Sequence, residues 1–225
     1  MRVARNPAAK AIRQGGNRRL TTRLFLIRHA QNDWVRTGRL AGRTPGVHLN
    51  EEGRQQAEAL GRRLAAAELQ AVYSSPLERA IETAQAILKH HPHLELQIEE
   101  GIREVDFGKW TGRRLRQLAR TRLWQTVQRT PSRARFPGGE SIREMQMRVV
   151  EALERIAGQH PGGRIVIVSH SDVIKSVVAH YAGMHLDMFQ RLIISPASLS
   201  IIALHRTGPR IVRVNDISHY ECQTG

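Results

Sequence analysis

The segment "RIVIVSH", residues 164–170, limits the fold more than any other stretch of this chain. Four consecutive branched aliphatic residues without polar alternation do not suit a strand with one wet face. They ask for burial on both faces, as in a parallel sheet covered by helices. "LFLI" (24–27) reads as a second buried strand and "AVYSS" (71–75) as a third. Between them Asn50 caps an amphipathic helix with Glu51 and Glu52 in its first turn. "PLERAIETAQAIL" (76–88) predicts a helix with Pro76 in the first turn. "ESIREMQMRVVEALERIAG" (140–158) has strong helical period and predicts a helix ending at Gly158. "LELQIE" (94–99), "SLSIIALH" (198–205) and "RIVRV" (210–214) supply further strands, and "SDVIKSVVAHYAG" (171–183) a further helix. Strand–helix alternation with short connections predicts an α/β fold: a three-layer α/β/α sandwich around a mainly parallel sheet. Residues 23–225 read as one domain, and residues 1–22 as a flexible basic extension.

Composition narrows the classes. The single Cys222 excludes an intramolecular disulfide framework and makes zinc ribbons and iron–sulfur clusters poor readings. No apolar run reaches the roughly 20 residues that cross a bilayer, so the expected compartment is the cytoplasm. A net charge of +15 favours anionic partners, whether nucleic acid, acidic membrane surfaces or phosphorylated metabolites. Only 4% aromatic residues argues against a single-strand stacking platform. The absence of any acid before Asp33 leaves the basic head readable as a solvated tail, a transit-like segment or a nucleic-acid arm.

Chemistry collects at the strand exits. The first strand ends in Arg28-His29, the second in Ser74-Ser75 with Arg79 one turn into the next helix, and the "RIVIV" strand in Ser169-His170. In an open parallel sheet the carboxyl ends of the strands share one crevice, which predicts two Arg and two His in one place. Arg forks grip phosphate oxygens, and a neutral imidazole is a competent nucleophile. Two arginines beside His29 would also hold its pKa down. A phosphoryl-transfer site built this way needs neither metal nor cofactor, because positioning and charge supply most of the catalysis.

"LIRHAQND", "SSPLERAIETA", "IREVDFGKWTG", "PGGES" and "VIVSHSDVI" occur in that order, and together they resemble the motifs of the histidine phosphatase superfamily, phosphoglycerate-mutase-like branch. The resemblance spans roughly residues 23 to 205. It implies that His29 becomes phosphohistidine, that Arg28, Arg79 and His170 complete the phosphate pocket, and that Glu104 protonates the leaving oxygen and then activates water. Asp106 is the alternative acid. The chain departs from the family pattern at Ala30, at Gln31-Asn32, at Val35 and at Ser171; Asn32 stands near enough to replace the pocket Asn that would align with Val35.

The implied activity is hydrolysis of small phosphorylated metabolites. A phosphoglycerate-type mutase is the alternative, and a non-catalytic anion- or nucleic-acid-binding protein a further one. A scaffold of that last kind would be expected to have lost His29, an Arg or His170, and all are present. The 35 residues 105–139 make a short insertion that leaves the pocket open to water, which favours hydrolysis. That insertion carries nine Lys and Arg and no acid beyond Asp106. Arg113 is the candidate among them for drawing in a second anionic group, and Arg39 and Arg43, in the Gly-Arg loop 38–49, are further substrate-contact candidates. "HHPH" (90–93) reads as a solvated loop rather than a metal site, and homo-oligomerisation stays open.

Overall fold

In the computed structural model, which describes residues 21–221, the strand Arg164–Ser169 lies inside the sheet, as its composition requires. Six strands are ordered β3-β2-β4-β1-β5-β6: β1 Thr22–Arg28, β2 Ala71–Ser74, β3 Leu96–Ile98, β4 Arg164–Ser169, β5 Leu199–His205 and β6 Gly208–Asp216. The pairs β3–β2, β2–β4 and β4–β1 are parallel, whereas β5 runs antiparallel to β1 and β6 antiparallel to β5. The sheet is therefore mixed, with a parallel centre. After β4 the chain passes through a helix and re-enters beside His29, so β5 has to run back from the carboxyl edge; Ala197 N–H donates to His29 O at 3.3 Å there.

The helices are α1 Asp33–Arg36, α2 Glu51–Leu64, α3 Glu78–Leu88, α4 Leu115–Leu118, α5 Arg122–Arg129, α6 Ile142–Gln159, α7 Ser171–Tyr181 and α8 Ser218–Glu221. Side chains alternate across the sheet. Leu24, Leu26, Ile165 and Ile167 pack on one face with α6, α7 and the segment around residues 102–136. Phe25, Ile27, Val166 and Val168 pack on the other with α2 and α3. Each fully buried aliphatic side chain contributes about 1.5–3 kcal/mol, so β1 and β4 are anchored from both sides and hold their carboxyl ends rigidly. This is the three-layer α/β/α arrangement.

Local details refine the sequence reading. Asn50 caps α2 by accepting the Gly53 N–H at 2.9 Å, as its position predicts. Pro76 lies outside α3, which begins at Glu78 after an extended Leu77. At the start of α6 the cap is Ser141, whose hydroxyl and the Glu144 carboxylate form a reciprocal capping box. The helix runs one residue past Gly158, because His160 rather than the glycine takes the cap position. His91 corrects the solvated-loop reading of residues 90–93: it is buried, with Nε2 3.1 Å from the Leu64 carbonyl oxygen. Among the described residues no group of three or more His, Cys, Asp or Glu is placed to hold a metal ion, and no helix is long and apolar enough to cross a membrane. The basic head through residue 20 and Cys222 lie outside the described residues; β1 starts at Thr22, and Thr21 Oγ1 lies 3.0 Å from His205 Nδ1.

The start of α2 presses directly on the loop after β1. A Cβ at Gly53 would stand 1.9 Å from the Gln31 carbonyl oxygen, a backbone atom that cannot swing away. Gly53→Ala is therefore expected to lower unfolding free energy by about 2–3 kcal/mol, the usual cost of overpacking a tight contact. Urea denaturation of the two proteins checks this.

Candidate active site

The carboxyl ends of β1, β2 and β4 meet as the strand registers dictate: Arg28 faces Ser169, and Ser74 faces Val168. The chain beyond β1 is held by backbone bonds, with His29 N–H donating to Ser169 O at 2.9 Å. Ala30 N–H donates to Thr83 Oγ at 3.0 Å, and the Thr83 hydroxyl donates back to Arg79 O at 2.8 Å, so α3 and the loop after β1 are locked together. Asn32 caps α1 through Oδ1, which accepts the Val35 N–H at 2.9 Å.

His29 is 3% exposed, and its Nδ1 lies 2.8 Å from the Ala30 carbonyl oxygen. A carbonyl only accepts, so Nδ1 carries the proton and Nε2 keeps a lone pair. Burial first, then the charges of Arg79 and Arg28, hold the His29 pKa well below 6.5. The ring is neutral at physiological pH. His170 packs beside it, ring centroids 5.2 Å apart, and is held neutral in the same way, by burial and by Arg79. Ser75 Oγ accepts the Leu77 N–H at 3.4 Å and lies 2.8 Å from His170 Nε2. If the hydroxyl donates to Nε2, the His170 proton sits on Nδ1, which has no hydrogen-bond partner.

Around these imidazoles stand further buried donors with nothing to donate to: Arg28 Nε, Asn32 Nδ2 and both Nε and Nη1 of Arg79. Native proteins rarely leave such groups unpaired, and a cluster of them marks a place for an acceptor. The other guanidinium atoms have structural tasks, Arg28 Nη1 donating to Ile194 O and Arg79 Nη2 to Gly42 O, each at 2.7 Å. Glu104 lies across from them, with Oε1 accepting the Val105 N–H at 2.9 Å and Oε2 3.7 Å from His170 Nδ1. Burial and the charge of Asp172 push its pKa up to about 7, against the opposing pull of Arg79 and Arg28. The expected acid is thus a group that holds a proton near neutrality, while Asp106 points to Arg43 at 3.6 Å.

A cavity of about 260 Å³ opens over this cluster, lined by Arg28, His29, Asn32, Arg79 and Glu104 at its base and by Arg39 at its rim. His170 is fully buried behind it and does not line it. Arg43 and Arg113 are not lining residues either. Arg43 Nε donates to the Glu104 carbonyl oxygen at 2.9 Å and its Nη2 pairs with Glu140 at 3.1 Å. Arg148 repeats the grip, donating to Glu104 O at 3.1 Å and to Glu140 Oε1 at 2.7 Å. Glu140 also accepts the Asp106 N–H at 2.8 Å. The signal for the role of Glu140, two arginines 8 and 97 residues away, exists only in space.

The chain carrying Glu104 is therefore held from behind by two arginines that share one carboxylate. Glu140→Ala leaves Arg148 without this counter-charge and Arg43 with Asp106 alone, and a loss of about 2–3 kcal/mol of stability is expected from the charged hydrogen bonds removed. Denaturant titration monitored by circular dichroism measures it, with Glu154→Ala as a control.

With the geometry established, likeness to known proteins adds its own evidence. The family model for the histidine phosphatase superfamily (branch 1) matches residues 24–217. Phosphoserine phosphatase 1 of Hydrogenobacter thermophilus is 31% identical over 202 residues, covering 88% of this chain and 93% of that protein. Among solved structures, YhfR of Bacillus stearothermophilus superposes with a TM-score of 0.82 at 29% identity, covering 88% of this chain and 98% of the other. A mutant phosphoserine phosphatase of Entamoeba histolytica, solved with phosphoserine, gives 0.81 at 26% identity, covering 88% and 99%. This chain belongs to the histidine phosphatase superfamily.

Proposed function

We propose that the protein hydrolyses phosphate monoesters of small metabolites through a phosphohistidine at His29. The observation that carries the reading is a neutral His29 with Nε2 unprotonated, set among buried donors of Arg28, Asn32 and Arg79 that lack an acceptor. A phosphoryl group bound there would satisfy those donors, and its phosphorus would face the imidazole lone pair. The Nε2–P bond forms as the ester P–O bond breaks, and the leaving alkoxide takes the proton of Glu104. A water then attacks phosphorus and gives its proton to Glu104, while the N–P electron pair returns to Nε2 and inorganic phosphate departs. Arg28 and Arg79 neutralise charge on the transferred group without a metal.

Hydrolysis rather than transfer to a second hydroxyl is supported by the cations further up the cavity. Lys175 is paired with Asp172 at 3.3 Å, and Arg39 donates through Nε to Gly112 O at 2.7 Å while its guanidinium lies 4.6 Å over the Trp34 ring. A mutase has to hold a second anionic group, and with Lys175 already paired Arg39 is left to face it alone. Arg39, at the rim, remains a contact for the non-reacting part of the substrate. The one cysteine of the chain suits a reducing, cytoplasmic compartment.

His29→Ala is expected to lower kcat by at least ~10³-fold and to abolish the acid-labile phosphoenzyme trapped by quenching with labelled substrate. Persistent turnover would exclude the mechanism. The pH dependence follows from Glu104: its carboxyl is protonated below about 7 and ionised above, so the proton for an alkoxide leaving group is lost as pH rises. For alkyl esters kcat/KM is expected to fall on the alkaline side of about pH 7, and Glu104→Gln to remove that limb along with most of the activity. Initial-rate profiles between pH 5 and 9 provide the check.

A further inference from the structure

The insertion 105–139 has a composition that suggests an electropositive cap, but its orientation is the reverse. Its arginines do not line the cavity, whereas Trp110, Leu115, Trp124, Val127 and Phe136 do, with Gln128 as the insertion's one polar lining residue, joined by Leu40 from the loop after α1. Leu40, Leu115 and Trp124 are only partly buried and lean on the core, so they present apolar surface to whatever enters. Behind them the rings are fixed. Trp110 stacks on Trp124 with centroids 6.3 Å apart, and its other neighbour, Phe136, meets it edge-on at 5.4 Å. Phe107 in turn meets Phe136 edge-on at 4.9 Å. A wall supported this way is pre-formed rather than adaptable.

The polar groups facing this wall, Arg39 and Gln128 included, do not offer a small zwitterion a free pair of opposite charges. Asp172 and Lys175, which might take an ammonium and a carboxylate, pair with each other, and Lys175 also donates to Gln190 Oε1 at 3.0 Å. A substrate with a charged amino-acid body would have to break that pairing and desolvate its own charges against tryptophan and leucine, at a cost that unpaired burial makes large. A flat or branched apolar body displaces only water from the same wall.

We infer that the preferred substrates are phosphate monoesters with an apolar, ring-sized body, seated between Trp124, Leu115 and Leu40 with the phosphoryl group on His29. This rests on the phosphomonoesterase reading above and names the substrate class for the same site. It also separates this chain from the phosphoserine-directed relatives that it resembles. The insertion is then a specificity element: its apolar side selects the alcohol, and its arginines form the solvated outer face.

Esters of primary alcohols test this with any leaving-group bias set against the apolar ester, because its unsubstituted alkoxide is the most basic of the three. For 3-phenylpropyl phosphate, kcat/KM is expected to exceed that for phosphoserine and glycerol 3-phosphate by at least ~30-fold, the equivalent of burying two to three methylenes. In Trp124→Ala and, separately, Leu115→Ser, the ratio of kcat/KM for phenylpropyl over glycerol phosphate is expected to drop about tenfold, and Trp124→Phe to retain most of it. Equal or better use of phosphoserine by the unmodified protein overturns the inference. So does a Trp124→Ala or Leu115→Ser protein that folds and keeps the ratio. Thermal melts identify a variant that does not fold, in which case the other decides. His29→Ala runs in parallel: if it still hydrolyses the esters, the phosphohistidine reading fails, whereas its inactivity beside an unselective parent protein removes only the apolar-body inference.

Discussion

Holding two guanidinium groups beside an uncharged imidazole, almost out of water, is the constraint on which this structure turns. Arg79 is 1% exposed and His29 3%. Cations so placed repel a protonated histidine and keep Nε2 free, but their own desolvation is costly. Glu104 stands near them, its pKa raised toward neutrality by burial and Asp172. The arrangement survives because the guanidinium groups are tied by single bonds to the Ile194 and Gly42 carbonyls and because both faces of β1 and β4 are packed. The aliphatic core thus offsets a polar cluster in which several buried donors have no hydrogen-bond partner.

A second pair of arginines does different work with the same chemistry. Arg43 and Arg148 both meet the carbonyl oxygen of Glu104, and Glu140 balances them. The close approach of two chain segments makes this possible: a Cβ at Gly139 would lie 2.2 Å from Asp106 O, so only glycine lets "PGGE" settle against the Glu104 segment. Charge in the insertion is different again. α5 turns Trp124 and Val127 to the cavity, and Arg122 and Arg129 are exposed, so part of the net positive charge is a solvated surface and not a substrate magnet.

Much of the fold was legible because local pattern and global architecture agree. The uninterrupted apolar runs of β1 and β4, Asn50 at the α2 start and the strand-exit pairs Arg28-His29 and Ser169-His170 all lie where their sequences predict. The misjudged boundaries have local causes. Ser75 and the extended Leu77 delay α3 past Pro76, and the Ser141–Glu144 box starts α6 at Ile142 rather than at Glu140. His91 defeats a compositional reading because its partner, the Leu64 carbonyl, comes from another helix.

By itself the sequence determined the layer architecture, the strands that end at the site, and the His and Arg residues that gather there, since period and strand-exit chemistry are encoded within a few residues; Glu104 was implied only by the resemblance to the family's motifs. Tertiary structure alone decided which arginine does what. Arg79 turns to His29, whereas Arg43, equally basic and in a loop beside the substrate path, turns to the back of Glu104. It also decided that the arginine-rich insertion presents tryptophan and leucine to the cavity. The side of a short helix that faces inward depends on the aromatic packing beneath it, and that packing joins residues far apart in the chain.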